Sequence, residues 1–423
     1  MNRKRILLSA YYFNPYQGSE SAVGWNIATR LAQYHDVTVI TGDLSDRRPH
    51  EKDLQRWHRE SASISGLTIE YVPPSRTVAR YEHWHTLPGL WFMWYKAYQK
   101  WQALAYQRAC KLHAQTPFDL THHLTVIGYR EPGYLWRLPI PFVWGPVNGA
   151  DNIPVAFYRF LGRAALGPVV RDVVNNIQMR LPGRHKTAAA VARQLWAVTT
   201  ADQRMITMLW RKHADIMIET GTTLQVDNAE RKQPENKTLH LVYSGIFVAR
   251  KGLPFLLAAL SGIELPVPWS LHILGDGPCR EHWQNIANKL GLNQHLIWHG
   301  QVTRASAMEV MRSADIFVHP SLKEGTPHVV LEALALGVPV ICHDACGMGA
   351  AVTDNCGIKI PLINPSTTIA GLRRAIVCIG SDADLRARLS AGALARAAEL
   401  TWDKKARTIA DTYERIIDGV SSC

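Results

Sequence analysis

Short runs of Val, Ile and Leu alternate with longer helix-like stretches along nearly the whole chain, and this restricts the fold more than any other feature. In the first half RILLSA is followed by SAVGWNIATRLAQY. VTVITG, LTIEYVP, FDLTHHLT and PFVWGPV come next, with helical stretches before or between them. The second half repeats the habit with TLHLVYSG, SLHILGDG, LIWHG, DIFVHPS and PVICHD. Apolar strands separated by helices predict parallel sheets covered on both faces. A chain of 423 residues is too long for one core. The polar stretch TTLQVDNAERKQPENK, residues 222–237, divides the two series and is read as the linker. The expectation is two doubly wound α/β domains facing across a cleft, with ligands at the C-terminal ends of the strands.

Charge divides along the same line. Residues 1–220 hold 27 Lys and Arg against 16 Asp and Glu, whereas residues 221–423 hold 20 against 19. The excess of +11 in the first half suggests an anionic partner there: nucleic acid, membrane lipid or a phosphorylated substrate. No strand carries the stacked aromatics of a nucleic-acid reader, so nucleic acid is set aside. An apolar content of 47% with 19% charged residues is that of a globular protein. No apolar run approaches the ~18–20 residues of a membrane span. MNRKRILLSAYYF is read as a first strand, Ile6 to Ala10, and not as a leader, which places the protein in the cytoplasm. The seven cysteines show no C-x-x-C spacing. The pair in CHDAC, Cys342 and Cys346, is read as reduced thiols in preference to a metal cluster.

Four stretches fall at strand ends. NPYQGSESAVGW sets Gly18 and Ser19 between the first strand and a helix, where backbone N–H groups can face a phosphate or Ser19 can simply cap the helix. YSGIFVARKGL brings Arg250 and Lys251 to a strand-to-helix loop, as a diphosphate clamp or as a solvated basic turn. FDLTHHLT carries His122 and His123, whose side chains point to opposite faces of a strand. SLKEGTPHVVLEALALG places Glu324 before a helix and Glu332 inside it. Thr326 suits its N-cap, Pro327 its first position and Gly337 the position past its end. That helix is apolar on every side, so Glu332 is expected in an interior, with a ligand as its partner. The helix N-terminus would receive a diphosphate, and Glu332 the hydroxyls of a ribose.

YSGIFVARKGL, LHILGDGPCRE, ADIFVHPSLKEGTPHVVLEALALGVPVI and the closing TWDKKA helix resemble the retaining glycosyltransferases of family 4, which have the GT-B fold. QGSESAVGWNIATRLAQYHDVTVITG and PFVWGPVNG look like the matching first half. The resemblance implies a first domain at 1–221 that binds acceptor and a second at 238–400 that binds nucleotide-sugar donor, with a final helix at 401–423 packing back on the first. It implies Glu324 on the donor sugar, Glu332 on the ribose, Lys251 on the diphosphate, and a histidine at the reaction centre, for which His123 is favoured over His122. The catalytic set is then Glu324, His123 and Lys251; Gly18, Ser19, Arg250, Lys251, Thr326 and Glu332 bind donor. The chain departs from the family at Ile246, where an arginine is common, so Arg250 would substitute for it. It also has adjacent histidines in place of H-x-H, and a single glycine in its first loop.

The expected activity is retaining transfer of a hexosyl-type sugar from a nucleotide diphosphate to a saccharide or lipid-linked saccharide, in cell-surface polysaccharide or glycolipid synthesis. It needs no cofactor and no metal. The alternatives are an epimerase or phosphorylase on the same fold, or a silent sugar-nucleotide-binding partner protein. Asp382 and Asp384 form a D-x-D of the kind that binds metal in another transferase fold, but here they are read as a helix cap. Two further segments draw notice. Trp91, Trp94, Tyr98 and Trp101 have helical spacing and are read as core. Residues 155–186 carry Arg159, Arg163 and Arg171 among interleaved Phe157 and Phe160, and are read as an anionic-membrane or acceptor surface on the inner face of the membrane.

Overall fold

A computed structural model describes residues 3–45, 47–162, 166–223 and 238–419. Two parallel sheets carry the architecture. The first contains β1 (Arg5–Ala10), β2 (Asp36–Gly42), β3 (Leu67–Val72), β4 (Leu120–Thr125), β5 (Phe142–Val147), β6 (Gln194–Ala197) and β7 (Asp215–Ile216), in the order β3-β2-β1-β4-β5-β6-β7. The second contains β8 (Leu239–Ser244), β9 (Trp269–Leu274), β10 (Leu296–Gly300), β11 (Ile316–His319), β12 (Val340–His343) and β13 (Gly357–Ile360), in the order β10-β9-β8-β11-β12-β13. Strand order reverses between β1 and β4 in one sheet and between β8 and β11 in the other. A crevice opens at such reversals because successive connections leave in opposite directions.

The central strands are buried on both faces, as their unbroken apolar sequence requires: Ile6, Leu7, Leu8 and Ala10 of β1 have no exposed surface. The closing helix Trp402–Ile417 lies against the first sheet, not the second. Its buried Trp402, Ala406, Ile409, Ala410 and Tyr413 recur at helical spacing and join the cluster of Ile6, Leu8, Ile27 and Val37. Burying each large apolar side chain of that face contributes about 1.5–3 kcal/mol. The chain crosses between the sheets twice, side by side. Thr222 N–H donates to Leu400 O at 2.9 Å and Trp402 N–H to Thr222 O at 3.1 Å.

One segment crosses the expected division. Ile153, Phe157 and Leu161, from the first half, are buried in the core of the second sheet, and Phe157 and Phe160 pack on Phe255 with ring centroids 5.6 and 4.1 Å apart. Those two phenylalanines were expected at a membrane surface; the apolar wall offered by Phe255 claims them instead. Of the aromatic series, Tyr98 and Trp101 are core residues while Trp91 is exposed. Asp382 caps the helix Ala383–Glu399 by accepting from Leu385 N–H at 2.8 Å. Cys342 and Cys346 are buried thiols. Among the described residues no helix is long and apolar enough to cross a membrane.

Candidate active site

A cavity of about 380 Å³ lies between the two sheets. Its walls come from both strand-order reversals. The first domain contributes Ser19, Glu20, Ile127, Asn148 and Glu219; the second contributes Lys251, Glu324, Gly325, Thr326, Pro327, His328 and Val329.

Lys251 and Glu324 face each other here. Lys251 follows β8 in a short turn closed by Gly252, whose φ of +69° sits in the left-handed region. Its Nζ lies 2.5 Å from Glu324 Oε1, and Arg250 Nη1 reaches the same oxygen at 3.0 Å. Ser321 Oγ donates to Oε1 at 2.7 Å. Burial alone would raise the Glu324 carboxyl. The Lys251 and Arg250 charges outweigh burial and hold it below its ordinary range, so it stays ionised. Beneath this pair, Tyr243 Oη and both ring nitrogens of His319 are buried without hydrogen-bond partners. Burial, and then the nearby Lys251 charge, depress His319 to about 3.

The helix that follows, His328–Ala335, starts one residue later than its sequence suggests. Pro327 occupies the N-cap position, and Thr326 does not cap. The Thr326 N–H and Oγ1 both donate to Glu219, each at 2.6 Å. Thr326 therefore has no free hydrogen for a donor, and the open N–H groups of this terminus are those of the first helical turn at His328 and Val329. A Cβ at Gly325 would stand 2.3 Å from Glu219 Oε1, so any side chain there would push that carboxylate aside.

Glu332 is not interior. Its side chain keeps 24% of its surface and is paired with Arg304 at 2.8 Å, a cation 28 residues upstream that the sequence does not reveal as a partner. The all-apolar helix misled because one face turns to the cleft and not to a core. Gly18 is exposed, away from the cavity lining, with open space where a Cβ would stand. Ser19 lines the cavity at φ +55° and makes no cap; the N-cap position is Gly18.

Neither histidine of β4 borders the cavity. His122 is bound on both sides, Nδ1 to Tyr413 Oη at 2.5 Å and Nε2 to Gly145 O at 2.7 Å. His123, expected at the reaction centre, is buried beneath Gly133 and Gln102. Burial, and then the neighbouring His122, push it down to about 3, so it is neutral. Strand alternation did separate the two rings, but helices cover both faces of the sheet. Of the surface arginines, Arg159 is exposed, Arg171 is tied to Asp172 at 2.6 Å, and Arg163 lies outside the described residues.

Sequence reading missed Glu20, Glu219 and His328. Glu20 Oε1 accepts from Ile127 N–H at 2.6 Å, and burial raises its carboxyl to about 7. His328 shares its ring nitrogens with Thr220 Oγ1, and burial lowers its pKa. Glu20 stands one residue past Ser19, and a carboxylate opening a helix reads as an ordinary first-turn acid.

Two parallel sheets, each with a strand-order reversal that opens on the shared cleft, define a GT-B fold. Residues 225–395, which make up most of the second domain, match the family described as Glycosyl transferases group 1. A D-inositol 3-phosphate glycosyltransferase of Streptomyces bingchenggensis is 32% identical over 140 residues, which are 33% of this chain and 30% of that protein. The match thus spans less than a third of that relative's length. Among solved structures, sucrose-phosphate synthase from Thermosynechococcus elongatus superposes with a TM-score of 0.63 at 18% identity, over 99% of this chain and all of that one. HepE from Anabaena, in complex with UDP and glucose, gives 0.56 at 16% identity, over 97% of this chain and 100% of its own.

Proposed function

We propose that the protein is a retaining glycosyltransferase that moves a hexosyl-type sugar from a nucleotide-diphosphate donor to a saccharide or lipid-linked saccharide acceptor. The observation that carries this is the Lys251–Glu324 pair, set across from the N-terminus of helix His328–Ala335. It offers a cation for departing diphosphate and an ionised carboxylate for sugar hydroxyls within one cavity. Glu332 takes the ribose, exchanging Arg304 for the two hydroxyls. Arg250 adds a second cation where the family's arginine is replaced by Ile246.

In this reading the acceptor oxygen bonds to the anomeric carbon as its bond to the phosphate oxygen breaks, both on one face. The acceptor proton passes to the departing phosphate oxygen. Lys251, Arg250 and the helix terminus stabilise the charge that grows there, which is the kind of preorganised help worth about 3–4 kcal/mol per donor. No metal is assigned a step. Incubation with labelled nucleotide sugars and membrane extract tests the proposal. Expected are labelled saccharide with the donor's anomeric configuration, released nucleoside diphosphate, and undiminished turnover in chelator. Donor turnover without acceptor would point to an epimerase or phosphorylase.

The acceptor side favours a lipid-linked substrate at the cytoplasmic membrane face. Helix Leu166–Arg180 is inverted: Asp172 and Asn175 are buried inward while Leu166, Val170, Val173, Val174 and Ile177 are exposed. Arg159, Arg180 and Lys186 stand near this stripe in the chain, and all three are on the more basic half. An apolar face with a basic surround matches an anionic lipid surface. The helix also contacts the cleft-side loop, since Arg130 reaches Gln178 at 2.5 Å. Val173→Glu with Ile177→Glu should abolish cosedimentation with anionic vesicles; unchanged binding would remove the membrane reading.

A further inference from the structure

The cavity holds more negative charge than a donor diphosphate site requires. Lys251 is matched by Glu324, which leaves Glu20 and Glu219. Among the described residues neither has a cation within ion-pairing distance. Glu219 is 8% exposed, and among the described residues its two oxygens accept from Thr326 alone. Lys405 is buried close by, but its Nζ donates to Ile218 O. Glu20 accepts one backbone N–H, from Ile127. A carboxylate has about four acceptor sites, so both residues keep unused lone pairs. Uncompensated carboxylates in a closed space are costly unless donors meet them there.

Resting on the transferase reading, we infer that Glu20 and Glu219 select the transferred sugar, admitting neutral or amino sugars and excluding those that carry a carboxylate. The two groups come from different elements, the first turn of helix Ser19–Leu31 and the segment after β7, yet both line the one cavity. Both come from the first domain, while Lys251 and Arg250 come from the second; Glu219 abuts the helix terminus through Thr326. The diphosphate takes the cationic side and the sugar faces the acidic one. Hydroxyl or ammonium groups satisfy the free lone pairs. A uronic acid would set its own charge beside Glu219, and beside Glu20 where that group is ionised, which like-charge repulsion disfavours.

The test uses the full chain and isothermal titration. Titrations with UDP and GDP identify the nucleotide that binds; matched donors on that nucleotide, a neutral hexose and its uronic acid, are then compared. The neutral donor is expected to bind at least about tenfold more tightly. Glu219→Gln and Glu20→Gln keep the size and hydrogen-bonding capacity of each side chain. Each should shrink that ratio by about threefold or more, with nucleoside diphosphate affinity unchanged and thermal melting confirming a folded protein. Equal or tighter binding of the uronic acid donor overturns the inference, as does a ratio that neither variant changes. Failure of both nucleoside diphosphates to bind removes the donor reading itself, and the inference with it.

Discussion

The Lys251 ammonium and the Glu324 carboxylate meet at 2.5 Å, joining the ends of neighbouring strands β8 and β11. The Lys251 charge, with that of Arg250, keeps the enclosed Glu324 carboxylate ionised. In the function proposed here, donor binding asks Lys251 to turn from a carboxylate to a phosphate.

Replacing Lys251 with Ala should lower turnover by about two orders of magnitude, the usual cost of losing one preorganised donor to a growing negative charge. Glu324 retains Arg250 and Ser321, so the fold should survive. Initial rates of labelled sugar transfer, with circular dichroism as control, give the answer. A turnover within threefold of the parent would show that Arg250 alone carries the diphosphate.

Glu332→Gln should weaken nucleoside diphosphate binding roughly ten- to a hundredfold, from a lost charged hydrogen bond of about 1.5–3 kcal/mol. Its resting partner Arg304 is 79% exposed, and such pairs contribute little to folding. Thermal melting should therefore hardly move while calorimetric affinity drops. An affinity that stays put would reduce Glu332 to a surface residue.

Tyr413→Phe removes the hydroxyl bound to His122 Nδ1 and strands a buried ring nitrogen. The expected loss is about 1–3 kcal/mol, read as a lower urea midpoint. Donor affinity should not change, because neither ring borders the cavity. A midpoint equal to the parent's would mean the short contact adds nothing to folding.

Stability should decline as pH falls from about 6.5 towards 4. Burial depresses His122, His185, His272 and His343 to about 4 and His123 and His319 to about 3. An unfolded chain takes up these protons near pH 6.5 and the native chain does not, so acid favours unfolding across that window. Glu20 and Asp202 act oppositely: burial raises them to about 7 and about 8, so their protonation favours the native state as pH drops. Burial also lowers His35 and His328 and raises Glu131 and Asp151, so among the described residues eight histidines stand against four acids and carry the net effect. Denaturant midpoints at half-unit intervals would show it, and a midpoint that rises on acidification would contradict it.

The strands at the middle of each sheet were legible because both faces are buried and the apolar runs are unbroken. β6, β7 and β13 were not: QLWA, DI and GIKI are short and mixed, whereas the equally short β11 and β12, IFVH and VICH, are apolar up to their last residue. Site residues next to a strand end, such as Lys251 and Glu324, could be found by position. Arg304 and Glu219 could not. Each meets its partner only after a whole domain has closed, and nothing local announces it. The same limit explains His123: alternation gave its direction but not which helix would cover it.

The two side-by-side crossings at Thr222 and Thr401 govern how the halves can move. A single tether would let one domain swivel freely about the other. Two tethers, tied by the Thr222–Leu400 and Trp402–Thr222 hydrogen bonds, leave one easy rotation, a swing about the line through them. Glu219 lies three residues from that line, so its grip on Thr326 sits at a short lever arm. A small swing there translates into a wide change at the mouth of the cleft.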